Sequence, residues 1–189
     1  MQTDLHLDVA LIHYPVVNRN DEIIGSAVTN LDLHDIARAA RTYGIGTYWV
    51  VTPDRQQQEL ASEIVGHWTK GYGGTVNVDR ASALSIIKIC SDIAEVISAI
   101  EIKYGDRPLV VATSAITREK TITHERLKKR LDKGRGVVIL FGTAWGLAPE
   151  IIELVDVFLP PLGGPGKYNH LSVRSAASIV LDRLLGKRT

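Results

Sequence analysis

Three segments of the sequence place small and hydroxyl-bearing residues directly after an apolar run. "LVVATSA" reaches Thr113 and Ser114, "VILFGTAWGL" reaches residues 142–146, and "VFLPPLGG" reaches residues 160–164. Small residues let a backbone approach a ligand closely, and exposed amide and carbonyl groups can hydrogen bond to the edge of an adenine ring. This chemistry predicts a site for a nucleoside-like ligand.

A glycine-rich loop, "LGGPGKYNH", leads into the apolar C-terminal segment Ser172–Leu185. A helix that only closes a core needs an apolar stripe and a cap, and neither requires such a loop. We therefore expect something to be bound where the loop and the helix meet. The loop does not have the spacing of a phosphate-binding loop, because Tyr168 follows Lys167 and Pro161 stands where that motif needs a glycine.

Other familiar chemistries are disfavoured by the spacing of polar residues. No G-x-G-x-x-G follows the first apolar strand, and neither a G-x-S-x-G elbow nor a paired-carboxylate arrangement is evident. Dehydrogenase and hydrolase chemistry are therefore improbable. The six histidines are scattered singly, and the one cysteine, Cys90, lies in an apolar periodic stretch. We expect no metal site and a buried Cys90.

Composition describes an ordinary globular protein. The 189 residues, 45% of them apolar and 23% charged, suit a single domain over residues 1–189. No membrane span or secretory signal is recognisable, so a cytoplasmic location is expected. The net charge of +1 selects no partner, but residues 118–135, "REKTITHERLKKRLDKGR", are locally basic. These residues could form either a surface patch that contacts phosphate groups or a helix face that is simply exposed to solvent.

Alternating strands and helices must position these segments. Strand patterns are found in "DVALIHYPV", "GTYWVVT", "GTVNVD", "LVVATSA", "GVVILFG" and "DVFLPPL". Helices are predicted over residues 54–68, in the apolar stretch "ALSIIKICSDIAEVISAI" that contains Cys90, in the basic segment, and near Pro149. The alternation predicts an α/β fold with a mostly parallel sheet and helices on both faces.

The first helix and the last one have apolar faces that make specific predictions. "LHDIARAARTYG" is a helix with Asn30 or Asp32 as its cap and an apolar face formed by Leu33, Ile36, Ala37 and Ala40. In the last helix the residues that can face the core are Val173, Ala176, Ala177, Val180 and Leu184. Ile179 and Leu181 then point to the sides of the helix, where a second subunit could cover them.

The order of three motifs resembles the SPOUT superfamily, RNA methyltransferases that bind S-adenosylmethionine (SAM) and carry a deep C-terminal trefoil knot. "TNLDLHDIARAARTYG" is similar to the first motif and places the family arginine at Arg38. "VVILFGTAWGL" is similar to the second motif and "VFLPPLGGPGKYNHLSVRSAASIVLDRLL" to the third. The nearest match is a bacterial group similar to a C-terminal region found on some tRNA guanine methyltransferases.

This resemblance implies a homodimeric SAM-dependent methyltransferase acting on tRNA or rRNA, with the glycine-rich loop at the knot crossing. It implies catalytic roles for Arg38, Asn169 and Ser172. It also implies a cofactor site formed by Thr113, Ser114, Phe141, Gly142, Thr143, Gly146, Leu147, Leu159, Pro160, Leu162, Tyr168, Asn169, Leu171 and Ser172. A Cβ added to Gly142 is expected to enter the space of the cofactor.

Two departures from the family pattern leave the acceptor atom open. Thr143, Ala144 and Trp145 stand where many 2′-O-methylating members carry a glutamate. Asn169 and Ser172 are separated by two residues, whereas the third motif often has one between them. Both a base nitrogen and a ribose 2′-oxygen therefore remain as acceptors.

Each implied role has a plainer structural alternative. Arg38 could pair with Asp35 on its own helix, Asn169 and Ser172 could anchor the loop or cap the helix, and Arg174 could face solvent or a second subunit. Trp145 is expected to pack its loop rather than stack on a base. Two other functions stay open, a non-catalytic cofactor-binding RNA or protein interaction module and an α/β enzyme acting on another small metabolite.

Overall fold

A six-stranded sheet with parallel pairing throughout forms the centre of the protein. The computed structural model describes residues 5–187. The strands of the sheet are β1 (Leu7–Ile12), β4 (Tyr48–Val51), β5 (Ile87–Cys90), β6 (Leu109–Ala112), β7 (Val137–Gly142) and β8 (Val157–Phe158). Their order is β5-β4-β1-β7-β6-β8, and an antiparallel hairpin of β2 (Val16–Val17) and β3 (Ile23–Ile24) follows β1. The predicted parallel sheet is confirmed.

Helices cover both faces of this sheet, as the alternation predicted. They are α1 (Asn30–Thr42), α2 (Arg55–Thr69), α3 (Tyr72–Val76), α4 (Val78–Leu84), α5 (Ile93–Tyr104), α6 (His124–Leu131), α7 (Pro149–Glu153) and α8 (Val173–Leu185). One core cluster joins the sheet to α1, α2, α4, α6 and α8, and a second joins it to α5 and α7. Strand β1 contributes Leu7, Val9 and Leu11 to the first cluster and Ala10 and Ile12 to the second, because successive side chains point to opposite faces.

Helix α1 has the predicted apolar face but a different cap. Leu33, Ile36, Ala37 and Ala40 are all buried. The N-cap is Thr29, whose hydroxyl oxygen accepts a hydrogen bond from the Asp32 backbone amide. The predicted caps, Asn30 and Asp32, are wrong because both residues already lie inside the first turn of the helix.

The predicted strand "GTVNVD" is wrong, because its residues belong to α3 and α4. The short helix α3 packs against the end of α2 so closely that a Cβ on Gly74 would lie 2.6 Å from the Trp68 carbonyl oxygen. Asn77 separates the two helices and caps α4 by accepting a hydrogen bond from the Arg80 amide. An asparagine followed by good helix formers is the signal that the strand interpretation overlooked.

The predicted long helix through Cys90 is also wrong, although the expected burial of Cys90 is confirmed. Its first part is strand β5, and its second part is helix α5. Asp92 accepts a hydrogen bond from the Glu95 amide and so begins α5 as an N-cap. The β-branched run Ile86, Ile87 and Ile89 favours a strand, and the acidic cap stops a helix from extending backwards through it.

The C-terminal elements agree with the sequence in outline. Of the predicted strand "DVFLPPL" only Val157–Phe158 is regular. Helix α8 begins at Val173 because Ser172 is its N-cap. Leu181, expected on the side of this helix, is buried in the first core cluster, whereas Ile179 remains half-buried. Across residues 5–187 no helix is long and apolar enough to span a membrane, and no cluster of metal-ligating side chains is found.

Candidate cofactor site

The sheet places the three predicted strand ends next to one another. Strands β7, β6 and β8 are neighbours, and Ala112 pairs with both Leu140 and Phe158. The residues that follow these partners, Thr113, Phe141 and Leu159, therefore lie at the same level of the sheet. The Thr113 amide donates to the Leu140 carbonyl at 3.1 Å, and the Leu159 amide donates to the Ala112 carbonyl at 2.9 Å. Backbone hydrogen bonds thus hold the three ends together at the carboxyl edge, where open parallel sheets bind ligands.

The loop after β7 is held against the hairpin by its backbone. The Trp145 amide donates to the Val17 carbonyl, and the Val17 amide donates to the Gly146 carbonyl, each at 3.0 Å. Ala144 has φ +51° and Gly146 has φ +122°, so the loop turns sharply between these residues. The Trp145 side chain projects outward and is 68% exposed. The prediction that Trp145 packs the loop is therefore wrong, because the backbone rather than the indole fixes it.

Gly142 is required by this loop itself. A Cβ at Gly142 would lie 3.0 Å from the Leu147 amide nitrogen and 3.2 Å from the Gly146 carbonyl carbon. The added atom would press on the chain's own loop, not only on space that a ligand could use. A substitution there would move Leu147, which is almost fully buried, so it would mix loop distortion with any effect on a ligand.

The loop between β8 and α8 contacts the loop after β6. The Asn169 side-chain amide donates to the Ala115 carbonyl at 2.7 Å, which is a loop-anchoring contact. Ser172 caps α8, and its hydroxyl accepts a hydrogen bond from the Ser175 amide. Tyr168 and Leu171 are exposed, whereas Leu162 is partly buried against the first core cluster. The structure therefore realises the anchoring and capping alternatives for Asn169 and Ser172.

A buried polar cluster beside the site was missed by sequence reasoning. His13, the residue after β1, is fully buried and its Nδ1 lies 3.0 Å from the Ser26 hydroxyl. That hydroxyl lies 2.5 Å from the Thr143 hydroxyl, which donates to the Ile12 carbonyl. The strand-end rule used for the second half of the chain would also have selected His13 if it had been applied to β1.

Burial determines the protonation state of His13. Desolvation lowers the pKa of His13 below its ordinary value, although the charge of Asp32 and the hydrogen bond with Ser26 act in the opposite direction. The imidazole is consequently neutral at neutral pH, and its Nε2 has no hydrogen-bond partner among the described residues. The cluster links the ends of β1 and β7 without adding a charge to the cofactor site.

Arg38 lies on the exposed side of α1. Eight residues separate it from the start of the helix, a distance of about 12 Å along the axis. It lines a groove of about 580 Å³ between α1 and α8, together with Asp35, Arg174 and Ile179. Asp35 lies 3.4 Å from Arg174, and no ion pair of Arg38 is found within the described residues. The alternative in which Arg38 pairs with Asp35 is therefore not realised.

Arg174 joins α8 to α1. Its guanidinium group lies 3.4 Å from a carboxylate oxygen of Asp32 and 3.4 Å from one of Asp35. It therefore faces α1 across the groove rather than open solvent. In the basic segment, α6 buries Leu127 and Leu131 and exposes Lys128 and Lys129, so both of its predicted interpretations stay open.

The parallel sheet, with its strand-end loops clustered at the carboxyl edge, defines an α/β protein. A family model described as SAM-dependent RNA methyltransferase matches residues 6–186, and the chain belongs to this family. The predicted resemblance to SPOUT methyltransferases is confirmed, and SAM is confirmed as the cofactor of the family.

Sequence and structure comparisons agree with this membership. The chain is 44% identical over 181 residues to a tRNA (guanine-N(1)-)-methyltransferase of Oleidesulfovibrio alaskensis, a match that covers 96% of this chain and 42% of that protein. The chain thus spans about two fifths of the length of this relative.

Solved structures share the fold at low sequence identity. A probable methyltransferase from Bordetella pertussis has a TM-score of 0.63 at 17% identity, covering 97% of this chain and 94% of the other. The SpoU methyltransferase AviRb from Streptomyces viridochromogenes, solved in complex with the cofactor AdoMet, has a TM-score of 0.58 at 16% identity, covering 98% and 58%.

Proposed function

We propose that this chain transfers a methyl group from SAM to RNA, with tRNA as the first substrate to test. The observation that carries the proposal is the register that sets Thr113, Phe141 and Leu159 side by side in a chain of this family. The relative from O. alaskensis, named for tRNA guanine methylation, supports tRNA. Because the chain spans 42% of that relative, guanine N1 and ribose 2′-O both stay open as acceptors.

The residues at the strand ends suit SAM. Leu147 and Leu159 are buried and hold their loops to the core, whereas Leu162 is partly buried and keeps apolar surface for an adenine ring. Beyond their chain neighbours, nothing lies within 4 Å of a Cβ placed on Gly163 or Gly164, which leaves space beside this backbone. Bound SAM supplies a methyl group activated by its sulfonium. The protein then has to hold the acceptor in line with that methyl group and accept a proton where the acceptor carries one.

Transfer of radioactive methyl groups from SAM to unfractionated bacterial tRNA tests the proposal. The parent protein is expected to label the tRNA, and nuclease digestion followed by mass spectrometry identifies the methylated base or ribose. SAM binding without transfer to tRNA or rRNA would instead support a non-catalytic module. Absence of SAM binding in calorimetry would contradict the proposed cofactor site.

Two subunits would complete the site that one chain leaves divided. Among the described residues, no hydrogen bond or ion pair joins the Arg38 side chain to the loops that would hold SAM, and Arg38 lies about 12 Å along α1 from the helix start. The groove between α1 and α8 carries Arg38 and the half-buried Ile179. We propose that a second copy packs on this groove, so that Arg38 of one subunit reaches the cofactor loops of the other.

Replacing Ile179 with arginine is expected to convert the dimer into monomers at micromolar concentration. Arg38 and Arg174 already line this groove, so a third guanidinium group buried there adds like charge and costs several kcal/mol, enough to weaken association by orders of magnitude. Sedimentation velocity measures the change. The matched control is Ile102→Arg, since Ile102 is 86% exposed on α5, a helix of the opposite face, and this variant should stay dimeric. A monomeric parent, or a dimeric Ile179→Arg variant, would contradict the interface.

The knot, the single domain and the cytoplasmic location belong to the same proposal. The contact between Asn169 and Ala115, and the parallel bridge between Thr121 and Phe158, support a chain crossing near the predicted knot. Residues 1–4 and 188–189 of the proposed domain lie outside the described residues. A cytoplasmic location would give the protein access to tRNA and rRNA.

A further inference from the structure

A second groove, of about 400 Å³, lies on the other side of Arg38, between α1 and α4. Arg41 from α1 and Arg80 from α4 line this groove, and Asp79 is the carboxylate among its lining residues. Together with Arg38, three guanidinium groups face one carboxylate, an excess of two positive charges. A concave surface with such an excess attracts an anion.

Two contacts hold the arginines of this groove in place. The Arg41 Nε donates to the Ser82 hydroxyl at 3.1 Å, which fixes the guanidinium group through its inner nitrogen. The Arg80 guanidinium carbon lies 4.5 Å from the centre of the Trp68 ring. Neither arginine has a carboxylate within 4.0 Å among the residues the structure describes. A guanidinium group fixed in this way and not neutralised can bind phosphate oxygens with two parallel hydrogen bonds.

The residues on either side of Asn77, which lines the groove, are apolar and exposed. Val76 is 66% exposed and Val78 is 71% exposed. Both come from the two short helices inserted between α2 and β5, which also carry the exposed Tyr72. Exposed apolar and aromatic groups on the element that supplies Arg80, and on the helix before it, suit the bases and riboses of an unpaired RNA strand.

We propose that this groove binds the sugar–phosphate backbone of the RNA substrate, with Arg41 and Arg80 each contacting a phosphate beside the nucleotide that reaches Arg38. The inference rests on the proposed function, because it assigns a surface to the RNA that is methylated. It differs from the expectation at the basic helix α6, where Lys128 and Lys129 project from an exposed face. The groove has two arginines fixed by neighbouring side chains, which favours it as the more specific contact.

Binding of fluorescently labelled, unfractionated bacterial tRNA to Arg41→Gln, Arg80→Gln and the double variant tests the groove. Each single substitution is expected to weaken binding roughly tenfold, since a charge-assisted contact is lost. Each should also flatten the slope of log Kd against log salt by about 0.7 to 0.9, because one fewer counterion is released. SAM affinity should stay at the parent's value, and the thermal unfolding midpoint should fall by no more than about 4 °C, because the contacts to Ser82 and Trp68 are lost but the core is unchanged.

Arg107→Gln is the matched control. Arg107 is an exposed arginine ion-paired with Asp156, and it precedes β6, far across the sheet from β5 and α4. This variant should bind tRNA as the parent does. Equal losses in Arg107→Gln and in the groove variants would overturn the proposal, because general charge would then explain the binding.

The remaining outcomes distinguish failure of the groove proposal from failure of the proposed function. If the parent binds and methylates tRNA and the double variant has the parent's affinity and salt slope, the groove proposal is overturned and the function stands. If the parent binds neither tRNA nor rRNA, the proposed function fails and the groove assignment fails with it. A double variant that becomes monomeric in sedimentation, with unchanged tRNA affinity, would assign the groove to a contact between copies and overturn the proposal.

Discussion

Replacing Arg38 with alanine is expected to lower kcat/KM for methyl transfer to tRNA by roughly 100- to 1,000-fold, the usual cost of losing a charged group aimed at the reacting centre. Arg38 lies on α1 between the two grooves and has no ion pair among the described residues, so its charge is available to the substrate. The dissociation constant of SAM should not change, because the proposed cofactor loops all come from the second half of the chain. Single-turnover transfer and calorimetry measure the two quantities.

Three controls separate this role from a structural one. Sedimentation must show that Arg38→Ala keeps the oligomeric state of the parent, since Arg38 lines the proposed interface. Arg38→Lys should recover part of the activity, because it restores the charge but not the forked hydrogen bonds. Arg107→Ala, which removes an exposed arginine that lines neither groove, should remain close to the parent. Parent-like turnover in Arg38→Ala would rule out a role at the reacting centre.

Replacing Gly163 with valine is expected to weaken SAM binding roughly 10- to 100-fold with little change in the unfolding midpoint. Beyond its chain neighbours, nothing of the protein lies within 4 Å of a Cβ at Gly163, so valine fits the folded chain. In the complex its branched side chain would occupy space that we assign to SAM, and overpacking of this kind costs about 1–3 kcal/mol. Calorimetric titration with SAM provides the measurement.

Gly66→Val is the matched control for this substitution. A Cβ at Gly66 also meets nothing within 4 Å, but Gly66 lies in the last part of α2, away from the strand ends. This variant should bind SAM like the parent. Gly142 is the less informative position, because a Cβ there presses on Leu147 even in the absence of a ligand. Equal SAM affinities for Gly163→Val and the parent would show that the glycine-rich loop does not contact the cofactor.

Local patterns in the sequence correctly predicted the helices and strands in which apolar residues recur at a single, regular spacing. The buried run of β7 and the apolar face of α1 were predicted correctly because burial on both faces, or on one stripe, leaves a repeat within a few neighbouring residues. The same reasoning failed between residues 74 and 92. There, capping by Asn77 and Asp92 divides the chain into short elements, and two polar side chains override the apolar pattern.

The sequence predicted which strand ends contribute to the candidate site, but it did not predict the contacts between their residues. Thr113, Gly142 and Leu159 could be selected because each ends or follows an apolar run, and parallel strands must end at one edge. Ser26 was missed because its partner Thr143 is more than a hundred positions away along the chain, and His13 was missed because it follows β1, outside the three segments selected from the second half of the chain. The exposure of Trp145 also depended on distant residues, since hydrogen bonds to Val17 orient its loop.

The sequence by itself determined the helices and strands outside residues 74–92 in outline, where the strand-end loops fall, and to which family the motifs are similar. Only the tertiary structure decided that β7, β6 and β8 are neighbours, that Asn169 anchors its loop to Ala115, and that Arg38 lies between two grooves. The physical reason is the distance along the chain over which each interaction acts. Periodicity and capping act over a few residues, whereas strand order depends on hydrogen bonds and apolar contacts between segments that are distant in the chain.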